Sequence, residues 1–145
     1  MTDKFQDNDK RIIDGVRYVK YLDLNKWYCV VVPKDQEAYD LMCDYKVWDD
    51  EKQDVRDCYY FMKFHEDLYL LMEEYLFNFI DDECDLLINM YEEEWIEGDN
   101  LPKALEITDR MINNSDNEEF LKLAKEFREL VKKAIELNTC VGCFF

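Results

Sequence analysis

Residues 55–80 read VRDCYYFMKFHEDLYLLMEEYLFNFI, and the way this stretch folds decides the architecture of the chain. Val55, Cys58, Met62, His65, Tyr69, Met72, Leu76 and Phe79 recur every three or four residues. That spacing keeps one apolar face in phase and predicts a helix from about residue 54 to 80. Within it, residues 58–64 are dense in aromatic side chains, which is strand composition, so a division of the helix near His65 stays open. Cys84, Leu87, Ile88, Tyr91 and Trp95 carry the helical rhythm onward after Asp81-Asp82, a break with aspartate at the new cap.

Downstream the pattern is clearest. Ser115-Asp116-Asn117-Glu118 has the form of a capping box. Phe120, Leu123, Ala124, Phe127, Leu130, Val131, Ala134 and Leu137 then make one stripe of a helix of about twenty residues. Before it, Gly98-Asp99-Asn100 is a turn and Pro102 an early helical position. There Leu101, Leu105, Thr108, Met111 and Ile112 form a second stripe, so two antiparallel helices join across Asn113-Asn114.

Upstream, residues 27–32 (Trp-Tyr-Cys-Val-Val-Val) are β-branched and aromatic and bounded by Asn25 and Pro33, a short strand. Residues 16–22 pair with it around Asp23-Leu24-Asn25 or belong to a helix over residues 9–22. Residues 35–45 read as a short helix and 47–54 as a charged loop. The expected fold is therefore mainly α: a single-domain helical bundle over residues 1–145, with a short N-terminal β-hairpin or strand within 16–32 as its one β feature.

The composition agrees with one domain. The chain has 145 residues, 48% of them apolar and 15% aromatic, with 3 Gly and 2 Pro. A chain of this size buries about 68–70% of its unfolded surface, enough for one core. The first ten residues are charged and polar with no apolar run after them, and no stretch reaches the length of a membrane span. A cytoplasmic protein is expected, with Cys29, Cys43, Cys58, Cys84, Cys140 and Cys143 as reduced thiols.

Charge carries most of the functional information. The net charge is −17, and residues 61–100 alone hold 13 acidic side chains against one lysine. Such an excess opposes direct contact with nucleic acid or an anionic membrane, both of which are recognised through Lys and Arg. On a helix over residues 82–97, Glu83, Asp85, Glu92, Glu93, Glu94 and Glu97 flank the apolar stripe or point away from it. Together with Glu73 and Glu74 they make an acidic surface without internal compensation. A solvated face normally mixes signs, as the C-terminal helix does with its interleaved Lys and Glu. The expected partner is a basic protein, captured quickly through complementary potentials. Trp48, beside Asp49, Asp50 and Glu51, and Trp95 are candidate aromatic anchors.

No catalytic, cofactor-binding or metal-binding set is expected. His65 is the one histidine and lies in phase with the apolar stripe, a core residue. The acids lack the spacing of an EF-hand loop. Glycines at 15, 98 and 142 leave no Gly-rich phosphate loop. Cys140-Val141-Gly142-Cys143 has no second close pair to complete a zinc site, and no helix follows to activate a redox thiol. It reads as part of an apolar tail docked on the core.

In size, acidity and helical character the whole chain resembles the small acidic immunity proteins of bacterial toxin–immunity pairs, including those of contact-dependent growth inhibition systems. The resemblance is one of overall character and transfers no binding residue. It implies stoichiometric binding to a cognate toxin domain, often a basic nuclease, by covering its active site or nucleic-acid groove. A phage-encoded nucleic-acid mimic is the nearest alternative. A structural or adaptor subunit, using the apolar tail and Tyr-rich faces and compatible with a homodimer, is the alternative from another class.

Overall fold

The computed structural model describes residues 10–13, 16–19, 28–43, 59–88 and 93–145. In it the deciding stretch divides at His65. Tyr59–Phe64 is a strand, β4, with every side chain buried. A strand covered on both faces shows a continuous apolar run instead of alternation. Its three-and-four spacing with the residues that follow is therefore incidental. His65 is not a core residue: it is exposed, with extended backbone (φ −73°, ψ 165°). Its carbonyl accepts from the N–H groups of Leu68 (3.1 Å) and Tyr69 (3.0 Å), which starts the next helix.

The expected helical bundle is thus corrected to a mixed α/β fold. Among the described residues the strands are β1 (Lys10–Ile13), β2 (Val16–Val19), β3 (Tyr28–Pro33), β4, β5 (Glu93–Glu97) and β6 (Cys140–Phe144). They form one antiparallel sheet in the order β1-β2-β4-β3-β6-β5. The strand expected at residues 27–32 is present as β3, but it does not pair with residues 16–19. Those hairpin with β1 and meet β4 instead, with Tyr18 opposite Tyr60. The helix over 9–22 is excluded for residues 10–13 and 16–19.

The helices are α1 (Gln36–Cys43), α2 (Glu66–Met72), α3 (Asn78–Cys84), α4 (Asn100–Asn113) and α5 (Glu118–Leu137). A π-helical turn, Glu73–Phe77, joins α2 to α3 without a break. Leu68, Met72, Leu76, Ile80 and Cys84 are buried at intervals of four. An α-helix of 3.6 residues per turn drifts out of phase with such a period, and one inserted residue restores it. The insertion brings Phe77 inward (0% exposed) and turns Phe79, expected inside, outward (41%).

The sheet has two covered faces. Val30, Val32, Tyr60, Met62, Phe64, Ile96, Val141 and Cys143 pack against α2–α5 in the main core. Cys29, Val31, Tyr59, Phe61, Cys140 and Phe144 form a second cluster with Ala38 of α1. The Tyr59 hydroxyl donates to the Ala38 carbonyl (2.6 Å), fixing α1 on that face. In α5 all eight expected apolar positions are buried or half-buried. Its cap, however, is Asn117, whose Oδ1 accepts from the Phe120 N–H (3.0 Å); Ser115 supports the turn by accepting from the Asn117 N–H. No helix among the described residues is long and apolar enough to cross a membrane.

Candidate protein-binding surface

The expected helix over residues 82–97 is not formed, and this rearranges the acidic site. The helix runs through Asp81-Asp82 and stops at Asp85, which adopts the left-handed conformation (φ 57°, ψ 51°). Aspartate tolerates this better than most residues because its short side chain can bond locally. The chain then returns as β5, the edge strand, whose partner is β6. Strand pairing between segments distant in sequence outweighs the local helical rhythm.

The expected site residues are accordingly divided. Glu83 is exposed near the end of α3 and pairs with Arg110 of α4, a compensation brought in from later sequence. Asp85 is exposed at the helix stop. Glu93 and Glu97 are exposed on β5, on the face they share with Trp95. Glu97 accepts from the Tyr39 hydroxyl (2.8 Å). Trp95 is half-buried, directly opposite Gly142 and 5.1 Å from the Phe144 ring, so it closes the second cluster instead of standing free as an anchor. Glu92, Trp48, Asp49, Asp50 and Glu51 lie outside the described residues.

Glu94 points to the opposite face and has a structural task. One carboxylate oxygen accepts from the N–H of Trp95 (3.1 Å) and the other from the N–H of Leu87 (3.0 Å). Asp81 accepts from the next amide, that of Ile88 (2.8 Å). Two carboxylates thereby hold consecutive amides of the turn after α3 against the edge strand. Charged residues on an exposed edge also disfavour pairing with another chain.

Asp81 is raised from 3.8 to about 6, chiefly by burial, with Glu94, Asp82 and Glu73 adding repulsion and the Ile88 N–H opposing it. A carboxyl raised in the fold contributes stability that is complete below its unfolded value and lost as pH rises through about 6. Asp81→Asn keeps an oxygen for the Ile88 N–H and removes the charge. Its melting temperature relative to wild type should therefore rise as the pH increases from 3.8 to about 6, the interval between the two pKa values. A difference independent of pH would show that Asp81 titrates ordinarily.

Cys84 and Cys143 are both pushed up by burial, away from the nucleophilic thiolate. Cys140 and Cys143 are an odd number of residues apart on β6, so they face opposite sides of the sheet, one in each core cluster. Among the described residues no group of three or more His, Cys, Asp or Glu could hold a metal ion.

What the expected set missed is an apolar component on the acidic helix. Leu70 (48% exposed), Tyr75 and Phe79 all reach solvent from residues 66–84. Leu70 sits in the run Leu68-Tyr69-Leu70-Leu71-Met72, apolar on every side, so periodicity cannot tell its outward residue. The acids are the usable signal: Asp67, Glu74 and Asp82, spaced by seven and eight, mark the outer face. No protein-family model matches this sequence, and no curated protein or solved structure is similar to it.

Proposed function

We propose that this chain is a non-enzymatic inhibitor of the immunity type, acting in the cytoplasm, that binds and neutralises a basic protein partner such as a toxin nuclease domain. One observation carries the reading. Residues 66–84 form a continuous helix with seven carboxylates and no lysine or arginine, and they lie at the surface of the sheet–helix core. A cationic partner would meet a complementary potential on this helix, which speeds encounter and disfavours acidic competitors.

Capture from the native host on immobilised chain tests the proposal. A basic protein should be retained at low salt and released as ionic strength rises, because the Debye length falls from about 30 Å at 0.01 M to about 3 Å at 1 M. Its activity should be lost on adding one equivalent of the chain. A retained partner that is acidic, or one held without regard to salt, would favour the adaptor reading and overturn this one.

A further inference from the structure

We infer that the partner is gripped by the outward face of residues 66–84, with Leu70, Tyr75 and Phe79 as apolar anchors among Asp67, Glu74 and Asp82. This rests on the proposed function and assigns it a surface. The occupant is a protein segment of matching chemistry: apolar side chains set among lysines or arginines, as on a basic amphipathic helix.

Three observations support the assignment. The anchors are spaced by five and four along one helix, and each leaves more than a third of its surface to solvent while its neighbours Tyr69, Leu76, Phe77 and Ile80 are buried. Solvation alone explains the acids on this face but not the large apolar groups between them. The π turn lies at the centre of the face and is what sends Phe79 outward; such turns are frequent at functional sites. Tyr75 is steadied by the Phe120 ring at 5.4 Å, so it has less freedom to lose when a partner docks. The charge specifies the partner's sign and the anchors specify where affinity resides, since aromatic side chains in a ring of polar contacts dominate most interfaces.

The test uses two probes on the full chain: an amphipathic helical peptide of lysine and leucine, and an oligolysine of equal charge. The wild type should bind the amphipathic peptide more tightly. Leu70→Ser with Phe79→Ser should weaken that peptide by at least about tenfold and leave oligolysine unchanged. Glu74→Lys with Asp82→Lys should weaken both and flatten their salt dependence. All four positions are exposed, so circular dichroism should report an intact fold. If both probes bind and neither variant alters them, this surface is wrong while a basic partner still stands. Should neither probe bind at low salt, the proposed function fails together with the surface. Self-association that Leu70→Ser and Phe79→Ser abolish would show that a second copy covers the face, and would overturn the assignment.

Discussion

A chain shortened to end at Asn138 is expected to lose its cooperative unfolding transition. The segment removed is an inner strand, although its sequence reads as a tail. β6 lies between β3 and β5, and all five of its residues are buried. Without it β5 has no neighbouring strand and β3 has an open side. Thr139, which donates to the Pro33 carbonyl (2.8 Å), goes as well. So does Phe145, whose ring meets Tyr28, Phe64, Tyr69 and Phe77 at 4.8–6.1 Å. Each buried side chain of Val or Phe size contributes about 1.5–3 kcal/mol. Several together approach the roughly 5–15 kcal/mol by which a whole domain is stable. The measurement is a thermal melt followed by circular dichroism; a sharp transition near that of the full chain would show β6 to be dispensable.

Two phenylalanines two residues apart should behave in opposite ways. Phe77→Ala is expected to cost about 3–5 kcal/mol, the usual range for a buried Phe. Its ring has no exposed surface and packs against Tyr69, Phe127 and Phe145. Phe79→Ala should change stability by no more than about 0.5 kcal/mol, as surface substitutions usually do. An uninterrupted α-helix in the phase that the sequence suggests would reverse the two. Urea titrations of both variants therefore test the π turn directly, apart from any partner. A large loss at Phe79 with little at Phe77 would remove both the turn and the anchor it presents.

The division of the acidic site has the same origin as the mistaken bundle. Residues 82–97 place apolar side chains three and four apart, and so does any segment that happens to carry Ile88 and Trp95 at the right distance. The pairing of Glu93–Glu97 with Cys140–Phe144 joins residues more than forty positions apart. Nothing local records it. Glu94 shows the consequence: it reads as one of three equivalent surface glutamates, yet its two oxygens bind the amides of Leu87 and Trp95. Reversing its charge would disturb the turn as well as any partner contact, which makes Glu74 and Asp82 the cleaner probes of binding.

Some features were settled by the amino-acid sequence alone. The two C-terminal helices, the strand at β3, the short helix α1 and the concentration of negative charge in residues 61–100 all follow from local spacing, turn residues and composition. These are properties of neighbouring side chains, so short-range physics suffices to specify them. The tertiary structure decided the rest: that residues 59–64 extend into the middle of a sheet, that the last strand is internal, and that Phe79 faces outward where Phe77 faces in. Each of those depends on which distant backbone satisfies a strand's hydrogen bonds, or on where one extra residue enters a helix so that a four-residue period can stay against the core.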